Sequence, residues 1–554
     1  MTARLSVEYR NAALRRVQRD DYDIIVIGGG IAGVGAALDA ATRGLRVALF
    51  EAQDLASGTS SRSGKTFHGG LRYLEQLNIG LVRQALHERG LMVQRLCPYL
   101  TRPYPFLYPL THRGWERAYL GVGVGIYDLL GGSRHGIPFH RHLGRAATLR
   151  EAPALREQRI IGGVQYYDVL VDDARHTMMV ARTAADHGAV ILTRVKVTGM
   201  IRDDSGVRGV TAIDTESGRT LTVRGHAIIN ATGAWAEEVQ RLAGPVALRI
   251  RPAKGVHIVV PKGRINARTG LITRTPDSVL AIRPWGDHWI IGTTDTPYGG
   301  GLDEPVATEA DIGYLLRQCN RWLRRPLTSD DITGTYAGLR PLVAVGSNGS
   351  GDTTRLSRDH AIAESVPGLI TVAGGKYTTY RVMAADAVDR AAARIPRTVP
   401  ACRTAHVPLL GTAGWDRERG ARHATAAQAG VALFHIDRLL ARYGSLTTEL
   451  LNMIADRPGL GAPVPGAPGY LQAEIAYAAT HEGALHLDDV LLRRTHIGIE
   501  TPGGGAEAAP TVTWLLAETL GWDEVRGREE LARYKRRFGG QETVQADSVE
   551  RPPP

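Results

Sequence analysis

The spacing of apolar and polar positions divides the chain into stretches of different rhythm. Near the start, Asp23-Ile24-Ile25-Val26-Ile27 is an almost unbroken apolar run rich in β-branched residues, which predicts a buried parallel strand. An Ala-rich segment, Ile31 to Thr42, predicts a helix, and Arg46–Phe50 predicts the next strand. The same strand pattern returns at Ala189–Val197, at Ala227–Asn230 and at Leu369–Gly374, the last followed by a helix through Ala393. Between these lie short runs with turn residues between them, Pro252–Val260, Val279–Ile282 and Trp289–Ile291, which predict an antiparallel sheet. Leu81–Leu96 has helical spacing, Pro98–Pro109 is extended and aromatic, and Arg141–Leu155 is basic and helical in pattern. Asp172 or Asp173 is placed to cap a further helix. Past Pro396 and Pro400 the pattern is helical from His406 to Phe538, interrupted at Pro458–Pro468 and by a loop at Pro502–Pro510.

At 554 residues the chain exceeds one compact core and predicts several domains. Residues 1–20 carry five arginines and no apolar core, and are expected to form a polar arm. Residues 406–540 are expected to form an α-helical domain, and 541–554 a disordered tail. No stretch reaches the roughly 18 uninterrupted apolar residues of a membrane span; Ala118–Leu130 comes nearest and contains Asp128. Membrane contact would therefore be peripheral. The net charge of +11 is dispersed and no nucleic-acid motif is present, which favours an anionic substrate or an anionic membrane surface over nucleic acid. Cys97, Cys319 and Cys402 are widely spaced, make no metal pattern, and suit a reducing cytoplasm.

The first strand stops at Gly28, Gly30 and Gly33, the G-x-G-x-x-G spacing that lets a turn, a pyrophosphate and a helix approach one another closely. The helix N-terminus then offers N–H groups to phosphate. Glu51, 23 residues beyond Gly28, stands where a carboxylate takes a ribose hydroxyl. This unit predicts a dinucleotide without distinguishing FAD from NAD. Ala231-Thr232-Gly233 and Gly374-Gly375-Lys376 end later strands at further close-approach points. Asp54 to Tyr73 is too long and polar for a plain connector, although a solvated Ser-rich loop is the alternative reading.

Four stretches together resemble the FAD-dependent glycerol-3-phosphate dehydrogenases: Asp23–Gly33; Thr59–Glu75 ending in His-Gly-Gly-Leu-Arg-Tyr-Leu-Glu; Gly292-Thr293-Thr294-Asp295; and Gly374 to Arg381. Lys254–Pro261 and Tyr336–Pro341 match as well, and Asp488–His496 is similar to that family's C-terminal region. Gly64, Thr66-Phe67 and Tyr377 depart from the family's usual residues. The resemblance implies an α/β fold: a glutathione-reductase-like Rossmann domain for FAD, an antiparallel-sheet substrate domain and an α-helical C-terminal domain. The oxidoreductase region would span 21–400, with FAD-binding segments at about 21–100, 155–245 and 335–395. It also implies sn-glycerol 3-phosphate as substrate, membrane quinone as acceptor, and a cytoplasmic enzyme peripherally associated with the inner face of the cell membrane; a homodimer is left open.

Carried onto this chain, the resemblance places Gly28, Gly30, Gly33, Glu51, Thr59, Ser60, Ser61, Lys65, His68, Gly69, Val197, Ala231, Thr232, Gly233, Gly375, Lys376 and Thr378 around FAD. Arg72, Tyr73, Arg340, Arg358 and Thr378 would bind substrate, because a phosphate dianion calls for guanidinium forks. His257 is the candidate proton acceptor, with a core histidine among Ile258–Val260 as the alternative. Arg340 and Lys376 complete the catalytic group, Lys376 by favouring negative charge near the flavin. No metal site is expected. An oxidase passing electrons to O2 is the nearest alternative; a flavin-binding nucleic-acid or assembly protein would need basic clusters with interleaved aromatics, which are absent.

Overall fold

The computed structural model describes residues 3–74, 78–112, 115–131, 136–276, 279–344 and 360–543, without the side chains of Arg72, Tyr73 and residues 539–543. Arg358 and the tail from residue 544 lie outside the described residues.

Strand Tyr22–Ile27 is central in an eight-stranded sheet. It pairs in parallel with Val47–Phe50 on one side and Thr220–Asn230 on the other, and the latter pairs in parallel with Leu369–Gly374. The unbroken apolar run follows from burial on both faces. Ile24 and Val26 point into a core shared with helices Ile31–Thr42, Asp173–Asp186 and Tyr380–Ala392. Ile25 and Ile27 point into a second core, closed by the antiparallel strands Val195–Asp203 and Gly206–Asp214.

A ten-stranded, mostly antiparallel sheet stands beside it, ordered through Ile250–Pro261, His288–Gly292, Val279–Trp285, Gly270–Arg274, Thr101–Leu110 and Gly162–Val171. Strand Gly334–Val343 pairs along Ile250–Pro261, setting His257 opposite Tyr336 and Ala253 opposite Arg340. Period-two alternation gives this sheet two different faces. Val256, Ile258, Val260, Ile282 and Ile291 pack beneath helix Glu309–Asn320. The alternate set, with His257, Arg283, Tyr336 and Arg340, faces the nucleotide-binding unit.

The aromatic segment is a short turn, Pro98–Leu100, followed by strand Thr101–Leu110, with Tyr99 and Phe106 buried. The basic stretch begins as strand Arg141–Gly144 and only then becomes helix Arg145–Glu151. Residues expected to form a polar arm instead contain a docked helix, Val7–Arg16, capped by Ser6. Its Ala13 and Leu14, with the following Val17, fill the second core, a narrow apolar stripe that the five arginines mask. The C-terminal helices include Trp415–Ala429, Leu433–Tyr443, Thr447–Asp456, Gln472–His481, Ala509–Leu520 and Glu524–Thr543; the Pro/Gly interruption supplies a two-stranded hairpin.

Buried charges fasten these C-terminal helices to the nucleotide unit. Arg494 grips Asp54 bidentately at 2.7 and 2.8 Å and Arg493 adds a third contact, while Arg175 pairs with Glu482 at 2.6 Å. Burial works to raise the Asp54 pKa, and the Arg494 and Arg493 guanidiniums overcome it, holding the carboxyl at about 2.

Helix Trp115–Gly131 buries Leu120, Val124 and Tyr127 but exposes Trp115, Tyr119, Val122, Ile126 and Leu129, the last at 81 %. Among the described residues no helix is long and apolar enough to cross a membrane, and no His/Cys/Asp/Glu group could hold a metal ion.

Candidate active site

The glycines act by proximity. Gly28 sits at φ +108°, and a Cβ there would lie 2.7 Å from the Ala231 carbonyl oxygen. Gly33 is tighter still, because a Cβ would fall 1.9 Å from the Gly28 oxygen. Only a glycine lets the helix descend on that turn. Gly30 precedes the helix, whose Ile31 N–H donates to Ser60 Oγ at 2.9 Å. Glu51 accepts the N–H groups of Gly29 (2.6 Å) and Gln53 (2.8 Å). Burial raises its pKa above the usual carboxylate value, against these two stabilising donors.

These elements open onto a cavity of about 760 Å³. Gly28, Gly30, Glu51, Thr59 and Ser60 line it, as do Val197, Ala231, Thr232 and Gly233, while Gly375 and Lys376 contribute from the later strand end. Gly233, at φ +58°, has no atom within 4 Å of where a Cβ would stand, so its backbone is open to close approach. A glycine cradle at a helix N-terminus, an acid at the second strand end and a long slot leading to Lys376 fit an extended dinucleotide. Trp235 also lines the slot, against Gly58. Sequence reasoning missed it, since a lone aromatic after a strand carries no motif.

Other expected cofactor residues lie behind this wall. Lys65, at φ +55°, is buried; its ammonium pairs with Asp173 and donates to the Ser61 carbonyl at 2.7 Å. His68 N–H donates to Thr378 Oγ1 (3.1 Å), which itself donates to the His68 carbonyl (3.2 Å), so Thr378 ties the loop to the later strand. Gly69 N–H donates to Tyr127 Oη, and Tyr127 donates to Asp168, which also holds Arg89. The departures at 67 and 377 meet each other: the Phe67 and Tyr377 rings are 5.7 Å apart, and Tyr377 Oη donates to the Asp173 carbonyl.

The inner sheet face lies across this loop. Tyr336 Oη donates to the Ser63 carbonyl (3.0 Å) and Thr59 Oγ1 to the Leu339 carbonyl, docking the loop on the strand that carries Arg340. Arg340 donates to Thr293 Oγ1 (3.0 Å), the Thr294 carbonyl (3.2 Å) and Asp295 (3.1 Å), which recruits the Gly-Thr-Thr-Asp motif as its support. His257 is 3 % exposed and stacks on Tyr336 with ring centroids 4.7 Å apart. Neither of its ring nitrogens has a hydrogen-bond partner among the described residues. Burial, then the charges of Arg283, Arg340 and Lys65, push its pKa well below 6.5, so the imidazole is neutral at pH 7. Arg72 and Tyr73 belong by backbone to the turn Leu71–Leu74, and their side chains lie outside the described residues. Arg283 had no motif to mark it.

A family profile described as FAD dependent oxidoreductase matches residues 23–381, and the chain is a member of that class. A second, described as the C-terminal domain of alpha-glycerophosphate oxidase, matches residues 402–527. The chain is 50% identical over 545 residues to glycerol-3-phosphate dehydrogenase 2 of Mycobacterium tuberculosis, covering 98% of this chain and 92% of that one. It is 34% identical over 546 residues to the mitochondrial glycerol-3-phosphate dehydrogenase of Rattus norvegicus, covering 94% and 74%. The crystal structure of glycerol-3-phosphate dehydrogenase from Bacillus halodurans complexed with FAD superposes with a TM-score of 0.79 at 29% identity, covering 99% of this chain and 100% of that one. The chain therefore belongs to the FAD-dependent glycerol-3-phosphate dehydrogenase family, and its cofactor is FAD.

Proposed function

We propose that the protein oxidises sn-glycerol 3-phosphate at C2 to dihydroxyacetone phosphate and delivers the electrons to a membrane quinone. The observation that supports the reading is the inner sheet face, where neutral His257, with neither ring nitrogen hydrogen-bonded among the described residues, lies near the cationic side chains of Arg283, Arg340 and Lys65. Bound FAD supplies the acceptor for the C2 hydrogen, transferred as hydride. His257 takes the C2 hydroxyl proton on a ring nitrogen, and burial keeps that nitrogen available at physiological pH. Arg340, aimed by Thr293, Thr294 and Asp295, holds the phosphate, with Arg72, Tyr73 and Arg358 as further ligands. Lys376, buried at the cavity's later end, favours the negative charge that hydride transfer brings there.

The exposed stripe Trp115, Val122 and Leu129 supports a seat on the inner face of the cell membrane, where an apolar quinone is reached from the lipid. Tyr99 and Phe106, in the aromatic segment before that helix, are buried and supply no such surface. The C-terminal profile, described for an alpha-glycerophosphate oxidase, keeps transfer to O2 as the second reading. Anaerobic mixing with glycerol 3-phosphate bleaches the flavin and glycerol does not; absence of bleaching at millimolar substrate refutes the substrate reading. Turnover with soluble quinone in the absence of O2, and slow peroxide formation in air, refute the oxidase.

A further inference from the structure

Arg283 is the residue on the inner face that the activity above leaves without a task. It lies on strand Val279–Trp285, one strand removed from His257, with the same facing. Its Nη1 is buried and has no hydrogen-bond partner among the described residues, and no carboxylate there pairs with it. Guanidiniums buried elsewhere are neutralised: Arg175 by Glu482, Arg494 by Asp54, Arg89 by Asp168. Arg283 as a whole is half-buried, but an Nη1 shut from solvent with no counter-ion is unfavourable unless an anion arrives. The groups facing it are Tyr166, Tyr336, Arg340 and His257, none of which is an anion near neutral pH, since burial raises both phenols.

Space has also been cleared for it. A Cβ at Gly64 would stand 3.2 Å from Arg283 Nη2 and 3.3 Å from its Cζ, so any larger residue there would press on the fork. Arg340 is itself paired with Asp295 and brings little net charge to a dianion. Arg283, with no carboxylate partner among the described residues, would add an uncompensated positive charge to those of Arg72 and Arg358.

We infer that Arg283 is a further binding residue for the anionic group of the substrate, acting beside Arg340 on a phosphate dianion. The inference rests on the phosphorylated-substrate reading, and its test uses inorganic phosphate so that the two can fail separately. Holoenzyme is titrated with phosphate while the flavin absorption band is followed, for the wild type, Arg283→Gln and Arg283→Lys. The Gln variant is expected to bind phosphate at least about tenfold more weakly and Lys to fall between, with FAD content kept in both. Glycerol 3-phosphate should show the same order in KM. Phosphate dissociation constants within about twofold across all three proteins overturn the assignment, whatever substrate the enzyme uses. If the Gln variant does not fold, Lys decides: a constant equal to wild type, with no loss from removing the fork, overturns it as well. Weakened phosphate binding without any bleaching by glycerol 3-phosphate would keep Arg283 as the anion site and remove only the choice of substrate.

Discussion

Replacing Arg340 by alanine separates substrate anchoring from cofactor binding. The guanidinium is held at 3.0–3.2 Å by Thr293, Thr294 and Asp295, and it does not line the nucleotide cavity, although its neighbour Pro341 does. Under the proposed function, truncation removes a charge-assisted contact to a dianion and leaves Asp295, whose side chain is 2 % exposed, facing the same anion. Losing one partner of such a buried pair costs about 2–5 kcal/mol, which is roughly 30- to several-thousand-fold in substrate affinity. The assay is anaerobic flavin bleaching across substrate concentration, with the ratio of flavin to protein absorbance measured on the same sample. A large rise in the half-bleaching concentration at unchanged FAD content is expected. The same variant should move the acid limb of the kcat/KM profile to higher pH, because Arg340 is one of the cations that hold His257 low, after burial and Arg283. Parallel loss of FAD and substrate binding would make Arg340 a structural residue, and an unmoved acid limb would detach it from His257.

Gly33→Ala places a methyl group 1.9 Å from a backbone oxygen, so the protein should purify without flavin colour; a yellow variant melting within about 2 °C of wild type refutes the close-packing account. Asp54→Asn leaves Arg493 and Arg494 without their shared carboxylate and should cost about 3 kcal/mol or more in denaturant stability; a loss under about 1 kcal/mol would show that water already screens the cluster. His486 lies between Glu216 (2.8 Å) and Glu530 (2.9 Å), which overcome its burial and raise its pKa to about 9 from 6.5, worth up to about 3 kcal/mol. A raised pKa stabilises fully below pH 6.5 and fades as pH climbs through 9, so the melting gap between wild type and His486→Leu should shrink over that interval. A gap constant with pH would refute the imidazolium.

The nucleotide unit was legible because its constraints are local. Strand, glycines, helix and Glu51 sit within thirty residues, and Gly28 and Gly33 each answer to a close backbone approach. His257 and Arg340 could be singled out through motif resemblance, but their neighbourhood comes from strand register, which sequence leaves open. Arg283 stayed invisible, since an arginine inside an apolar strand has the same local pattern as a solvated edge position. The docking of helix Val7–Arg16 and the contact of Asp54 with Arg494 depend on residues brought together across the fold; the latter pair lies 440 positions apart, and no spacing rule spans that distance. Helix Trp115–Gly131 was anticipated only as an apolar stretch, because periodicity marks an amphipathic face without saying whether protein covers it.

The Asp54 clamp bears on how the enzyme is made. Asp54 follows Glu51 by three residues, yet Arg493 and Arg494 are translated more than four hundred residues later. A nascent chain that has just finished helix Tyr380–Ala392 holds every strand of the FAD sheet, with Asp54 and Arg175 awaiting their counter-ions. At about 5–20 residues per second, roughly 5–20 s pass before the arginines emerge. During that wait the turn from Glu51 to Asp54 is the unfinished corner of the sheet. The segment that carries Arg493 and Arg494 acts as its keystone, so that the corner is locked only when nearly nine-tenths of the chain has been made.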